Sequence, residues 1–268
     1  MARQKLGQHF LVSDKALERI AQAACGDHVG LAVEIGPGKG ALTERLLSRA
    51  DHVVAIELDS ELARVLNGRW FRDPRIEIVE GNALHVDWSA WGPGVLAGNL
   101  PYYVATAIIS RYLRAPGPLT HGVFLIQKEV AERITAKPGT RDYGYFSVEC
   151  QFLADTEYLH TVAPGAFRPP PKVDSGVVRL TPKAAIPESI SRDFLGFVSA
   201  CFRQKRKTLR NNLSGLYSRE FLNEMPELGS RAEELSVAQF VALHEKISSA
   251  GTETINSAVT GSGTSEPL

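Results

Sequence analysis

The chain is expected to be an α/β protein. Its first part should be a mostly parallel sheet covered by helices and ending in an antiparallel hairpin, with a small α-helical domain behind it. Three observations predict this. Short Val- and Ile-rich runs alternate with amphipathic ones from Leu31 to Ala136. Two further apolar runs, 156–162 and 173–181, follow each other with no helical spacing between them. Residues 191–248 then carry only helical patterns.

Taken in order, LAVEI (31–35), HVVAIE (52–57), RIEIVE (75–80), GVLAGN (94–99) and GVFLIQ (122–127) have the length and composition of buried strands. Between them ALTERLLSR, SELARVLNGRW, ATAIISRYLR and KEVAERITA space their apolar residues as helices do. Such alternation gives parallel strands with crossover helices on both faces. After Tyr143 the rhythm changes. YGYFSVECQFLA reads as a further helix, and TEYLHTV (156–162) and VDSGVVRLT (173–181) as strands around GAFRPPPK. Strands joined without a crossover helix pair antiparallel or lie apart, so the sheet should end in a hairpin. The stretch from Pro182-Lys183 to Pro187-Glu188 reads as a linker. The expected domains are therefore 1–182 and 183–250. The Gly/Ser/Thr-rich residues 251–268 have little to bury and are expected to form a disordered tail.

Composition mainly excludes. Thirty basic residues balance thirty acidic ones, so any nucleic-acid surface must arise from local segregation of charge. The three cysteines, Cys25, Cys150 and Cys201, form no CxxC pair and have no histidines at zinc spacing. A reduced cytoplasmic protein with no metal is expected. The opening MARQKLGQHFLVSD lacks the apolar core of a secretory signal, and no apolar run approaches the ~18 residues of a membrane span.

The first strand runs through Glu34-Ile35 into Gly36-Pro37-Gly38-Lys39-Gly40 and then directly into a helix. Glycines at such a turn let the backbone approach a ligand, and the helix start adds free N–H groups. In an open α/β sheet this edge is where nucleotides bind. Glu57 ends the second strand, where a carboxylate can accept both hydroxyls of a ribose. These features leave two cofactors open. Gly36-x-Gly38-x-x-Ala41 satisfies the relaxed dinucleotide fingerprint, whereas E-x-G-x-G-x-G is the form used for S-adenosylmethionine. A turn made only for chain reversal is the bland alternative. Asn82, after the third strand, is placed either to accept from an adenine amine or simply to cap the next turn.

The fourth strand delivers Asn99-Leu100-Pro101-Tyr102 to the same edge. The N6 nitrogen of adenine is a poor nucleophile because its lone pair is delocalised into the ring. Acceptors on its two protons, the Asn99 amide oxygen and a backbone carbonyl, would orient it for attack on a methyl group. Pro101 stiffens the backbone between them, and Tyr102 offers a ring on which a base can stack. A base reaches such a pocket only by leaving its helix. The alternative is a strand-ending turn with tyrosines packed on the core.

With these residues in view, the chain resembles the ribosomal RNA adenine N6-dimethyltransferases. The resemblance lies in N-L-P-Y, the E-x-G-x-G-x-G turn, Gly7-Gln8-His9-Phe10-Leu11, Phe167-Arg168-Pro169-Pro170-Pro171-Lys172-Val173-Asp174-Ser175 and the block Phe202 to Leu213. It spans nearly all of residues 3–213 and is most similar to the small-subunit branch. It implies a Rossmann-like class I methyltransferase sheet and S-adenosyl-L-methionine as cofactor. It also implies dimethylation of two adjacent adenosines near the 3′ end of small-subunit rRNA, within a pre-ribosomal particle, by a monomer.

Carried onto this sequence, the resemblance places His9, Leu11, Gly36, Gly38, Glu57, Asn82 and Asn99 at the cofactor. Asn99, Leu100, Pro101, Tyr102 and Phe167 fall at the reacting adenine, with Tyr102 and Phe167 as its two faces. The family most often has Asn at the position of His9 and Asp at that of Asn82. A backbone contact is therefore expected at residue 9, and an amide in place of a charged acceptor at 82, with weaker cofactor affinity.

Arg203, Lys205, Arg206, Lys207 and Arg210 put five basic residues within eight positions of an electrically neutral chain. On a helix they cannot share one face, so part of the cluster should reach RNA phosphate and part should pair with local acids. Two other readings compete. One is the large-subunit rRNA enzyme of the macrolide-resistance type, and the other a non-catalytic ribosome assembly factor. The intact N-L-P-Y argues against the second, and Leu100 with the QKRKTLRNNL block against the first.

Overall fold

The computed structural model describes residues 9–183, 186 and 188–260. By packing, the chain divides into two units, residues 1–136 with 149–186 and residues 137–148 with 187–268.

The first unit opens with β1 (Phe10–Leu11) and α1 (Asp14–Cys25). It continues through β2 (Val29–Ile35), α2 (Ala41–Leu47), β3 (Ala50–Glu57), α3 (Ser60–Arg69) and β4 (Ile76–Glu80). Then come β5 (Gly94–Asn99), α4 (Ala105–Arg114), β6 (Leu119–Gln127) and α5 (Lys128–Ile134). Helix α6 (Tyr145–Leu153) begins among residues of the second unit and ends in the first, which β7 (Ala154–Val162), β8 (Phe167–Arg168) and β9 (Ser175–Pro182) complete. Each of the five expected parallel strands is present, and β6 starts three residues earlier than its apolar run, at Leu119.

Seven strands form one sheet in the order β4-β3-β2-β5-β6-β9-β7. The pairs among β2 to β6 are parallel. β9 lies antiparallel to both β6 and β7, so the expected hairpin is inserted with its second strand inside. Because β2 and β3 are covered on both faces, Ala32, Val33, Val53, Val54 and Ala55 are fully buried and their sequences are continuously apolar rather than alternating. Reversal of strand order occurs beside β2, between β3 and β5, which opens a crevice at the carboxyl ends of these strands.

Helix α1 has no counterpart among the expected elements. Ser13 caps it by accepting the Ala16 N–H, Gly26 ends it, and its buried face (Leu17, Ile20, Ala21, Ala24) joins α2 and the sheet in one core cluster.

The second unit is helical, as expected: α7 (Glu188–Cys201), α8 (Leu209–Leu213), α9 (Arg219–Asn223) and α10 (Val237–Thr260). Phe194, Val198, Leu213, Leu228 and Phe240 are buried in its core. Helix α10 runs on to Thr260, through part of the segment expected to be disordered. Extending an existing helix adds one hydrogen bond per residue without a new nucleus, which composition alone does not reveal. The remainder of that expected tail, 261–268, lies outside the described residues.

Candidate active site

The turn between β2 and α2 has Gly36, Gly38 and Gly40 at φ of +68°, +58° and +81°, a region side-chain-bearing residues avoid. The turn is tied to the neighbouring strand. Gly36 N–H donates to the Ile56 carbonyl at 2.9 Å, and Gly38 N–H to Glu57 Oε2 at 3.0 Å. Glu57 Oε1 accepts the Asp59 N–H at 2.9 Å. Burial pushes the Glu57 carboxyl above its ordinary range, and the N–H groups of Asp59 and Gly38 partly offset this. Each carboxylate oxygen keeps lone-pair capacity for a further donor.

Glu34, one residue before the end of β2, is almost fully buried and accepts the Thr43 hydroxyl at 2.6 Å. Burial pushes its carboxyl up to about 8, against the Thr43 hydrogen bond and with the help of nearby Glu57.

On the other side of the crevice, Asn99 ends β5. Its Nδ2 donates to the His9 carbonyl at 3.2 Å, which orients the amide and leaves Oδ1 as the free acceptor. Leu100 N–H is held by the Leu125 carbonyl at 3.0 Å, and the Pro101 carbonyl accepts from Val104 and Ala105 at 3.1 Å. Among the described residues the Leu100 carbonyl accepts no hydrogen bond. The turn is therefore fixed on both sides of Leu100 while that oxygen remains available. Tyr102 is anchored through its hydroxyl to Ser175 Oγ at 2.9 Å, and its ring centroid lies 6.0 Å from that of His9.

A two-stranded ribbon closes the crevice. β1 pairs antiparallel with β8, placing Leu11 opposite Phe167 and Phe10 opposite Arg168. Val12 N–H extends the ribbon to the Ala166 carbonyl at 2.8 Å. His9 Nδ1 lies 2.8 Å from the Pro169 carbonyl. A carbonyl only accepts, so Nδ1 carries the proton. His9 thus meets Asn99 through its backbone carbonyl, while its side chain turns to the proline segment.

One cavity takes in His9, Leu11, Gly36, Gly38, Glu57, Asn99, Leu100, Pro101, Tyr102 and Phe167. Asn82 stands at the same strand edge but outside that lining, and its Oδ1 accepts the Leu84 N–H at 2.9 Å. Several lining or supporting residues have roles that the sequence does not assign, although Phe10 and Ser175 lie within its motifs. Phe10 packs its ring where a Gly38 side chain would sit, 3.1 Å from that position. Lys39 Nζ lies 4.7 Å above the Phe10 ring. Thr43 and Ser175 act only through their partners in space.

The basic block lies elsewhere, in the second unit. Residues 202–208 form a loop between α7 and α8, so four of the five cations stand on a loop and only Arg210 on a helix. Arg203, Lys205, Arg206 and Lys207 are exposed. Lys205 donates to the Arg141 carbonyl at 2.9 Å and stands 4.0 Å from Glu233. Arg210 differs from the others. It is on α8, half-buried, and its guanidinium donates to the Leu222 and Met225 carbonyls at 3.3 and 3.1 Å, where it holds the end of α9.

The cavity lining combines the Glu57 carboxylate, the backbone of the glycine turn, the Asn99 amide and the aromatic residues Tyr102 and Phe167. These groups fit an adenosyl-type methyl donor set against a flat base. Strand order, glycine turn and carboxylate together define a Rossmann-like class I methyltransferase.

Comparison with known proteins narrows the class. The ribosomal RNA adenine dimethylase family matches residues 1–249. The ribosomal RNA small subunit methyltransferase A of Acidobacterium capsulatum is 44% identical over 252 residues, covering 89% of each chain. The protein of the same name from Pseudomonas fluorescens is 39% identical over 253 residues, covering 92% of this chain and 94% of that one. Among solved structures, a dimethyladenosine transferase from Plasmodium falciparum shares the fold, with a TM-score of 0.78 at 23% identity, over 91% of this chain and 98% of that one. The 23S rRNA methyltransferase ErmE matches with a TM-score of 0.70 at 28% identity, over 88% of this chain and 98% of that one. The chain belongs to the ribosomal RNA adenine dimethylase family and is an rRNA adenine dimethyltransferase. Family and fold imply a methyl donor of the S-adenosylmethionine type.

Proposed function

We propose that this protein uses S-adenosyl-L-methionine to dimethylate the N6 groups of two adjacent adenosines near the 3′ end of small-subunit rRNA during ribosome assembly. The observation that carries the chemistry is the Asn99 amide, oriented by the His9 carbonyl and standing in one cavity with Tyr102 and Phe167.

The donor supplies an electrophilic methyl group when bound. Glu57 would accept its ribose hydroxyls, and the Gly36–Gly38 turn with His9 and Leu11, which line the same cavity, would hold the rest of it. Asn82 Oδ1, with one lone pair beyond the Leu84 contact, accepts from its adenine. The target adenine stacks between Tyr102 and Phe167. Asn99 Oδ1 and the Leu100 carbonyl would accept hydrogen bonds from the N6–H groups, which would orient the nitrogen lone pair for attack. Orientation of this kind supplies much of the rate without a strong base.

The second unit holds RNA through the exposed cations of the 202–208 loop, so binding should weaken steeply with salt. The names of the 44% and 39% identical relatives favour small-subunit RNA over the large-subunit alternative. The test is incubation with unmethylated small subunits and a methyl-labelled donor, followed by mapping of modified nucleosides. Two dimethyladenosines near the 3′ end are expected. Label confined to large-subunit RNA would overturn the substrate assignment.

A further inference from the structure

The basic loop is not loose chain. Asn212, on α8, is buried, and its side chain reaches back across the loop. Its Nδ2 donates to the Cys201 carbonyl at 2.7 Å and the Gln204 carbonyl at 3.2 Å, with the Lys207 carbonyl at 3.5 Å. Its Oδ1 accepts the Gln204 N–H at 3.0 Å. One side-chain amide therefore ties down the start, middle and end of the segment that carries Arg203, Lys205, Arg206 and Lys207. The C-terminal end of the loop is closed independently. Thr208 bridges to Arg231, and Leu209 N–H donates to the Ser230 carbonyl at 2.9 Å.

The side chains divide accordingly. Lys205 turns inward to Arg141 and Glu233. The side chains of Arg203, Arg206 and Lys207 make no hydrogen bond or ion pair among the described residues. Long cations held apart from acids on a fixed backbone lose less freedom on meeting phosphate than the same cations on a flexible loop.

We propose that Asn212 is a positioning residue for RNA: it pre-organises the 202–208 loop so that Arg203, Arg206 and Lys207 engage phosphates together. This rests on the reading of the loop as an RNA contact. An aspartate at 212 keeps the size but replaces the donating NH2 with an oxygen facing the Cys201 and Gln204 carbonyls. An alanine removes the ties altogether.

The experiment measures affinity for unmethylated small subunits across a salt series, with donor affinity and steady-state kinetics alongside, for the full chain and for Asn212→Asp and Asn212→Ala. The expected result is about tenfold weaker RNA binding and a shallower salt dependence, by about one or two phosphate contacts at ~0.7–0.9 per contact. KM for RNA should rise while kcat and donor affinity stay within about twofold. A purely structural asparagine would lower stability without changing the salt slope, and an unchanged slope in folded variants overturns the proposal.

Two controls separate the possible failures. The variant Arg203→Gln/Arg206→Gln/Lys207→Gln changes only exposed side chains. If it binds RNA normally, the loop is not the RNA contact. If it binds weakly while Asn212→Asp binds normally, the clamp alone is wrong. Should the Asn212 variants fail to fold, hydrogen exchange of the unaltered protein decides. The Gln204 amide must be protected in the absence of RNA, and exchange at the rate of an open chain refutes pre-organisation.

Discussion

The Asn99 side-chain nitrogen donates to the His9 backbone carbonyl at 3.2 Å, joining residues 90 positions apart in the chain. This bond fixes which end of the amide faces the cavity. The N-terminal segment thereby sets the orientation of the residue proposed to meet the target amine, and it does so through backbone, whatever side chain stands at position 9.

Asn99→Ala should accordingly lower turnover by about 10²-fold or more, the cost of removing an oriented polar group from a reacting centre. Donor affinity should change far less. His9→Ala keeps the carbonyl and should retain turnover within about tenfold. Single-turnover rates on unmethylated small subunits, with circular dichroism to confirm folding, check both. Equal losses in the two variants would mean that the His9 side chain, not its carbonyl, matters.

Glu34 makes stability depend on pH. Its carboxyl keeps its proton to about pH 8 in the folded protein, against an ordinary value of 4.5. Between those values the folded state binds more protons than the unfolded one. The stability this group contributes is thus complete below about 4.5 and is lost as pH rises through 8. Glu34→Gln cannot titrate and still accepts from Thr43. It should gain on the unaltered protein as pH rises from 5.5 to 8.5, by at most about 1.4 kcal/mol per pH unit. Urea unfolding of the donor-free proteins at the two pH values tests this, and parallel pH profiles would refute it.

The strands and the strand-end residues were legible in the sequence because a parallel sheet forces their carboxyl ends to one edge. Glu57 and Asn99 need no tertiary detail to be placed near the glycine turn. The β1–β8 ribbon was not legible: two strands of two residues each, from opposite ends of the unit, leave no periodicity. The contacts of Phe10, Ser175 and His9 depend on that ribbon or on its neighbouring segment, so their roles were hidden with it. Helix α1 is a different case. Ser13 and Gly26 are ordinary helix signals, and the capped segment between them could have been found. The basic block was visible as charge, but its loop conformation is set by Asn212, whose partners a pattern of charges does not reveal.

Gly40 is required by its neighbour as well as by its own backbone. At φ +81°, a side chain there is strained, and its Cβ would stand 2.5 Å from the Trp70 ring. Arg69, beside Trp70, donates to the Lys39 carbonyl at 3.1 Å, so the end of α3 braces the glycine turn from below. Gly40→Ala should cost about 2 kcal/mol or more. Adding Trp70→Leu to that variant should cost less than Trp70→Leu alone, because the clash disappears with the ring. Thermal unfolding of the four proteins gives the coupling, and strict additivity would show that backbone strain is the whole effect.

Arg111 supports the loop that carries Asn82. From α4 its guanidinium donates to the Ala83 carbonyl at 2.6 Å and to the Val86 carbonyl, and it lies 4.3 Å from the Trp88 ring centroid. A lysine keeps the charge but has no planar fork to hold two carbonyls while stacking on an indole. Arg111→Lys should therefore lose about 1–2 kcal/mol of stability and weaken donor binding several-fold by releasing Asn82. Asn82→Ala should weaken donor binding by a similar factor with little loss of thermal stability. If both act through one adenine contact, the double variant binds the donor no worse than the weaker single one. Titration calorimetry on the three variants decides: losses that multiply would place Arg111 and Asn82 in separate roles, and normal donor binding by Asn82→Ala would remove that residue from the cofactor site.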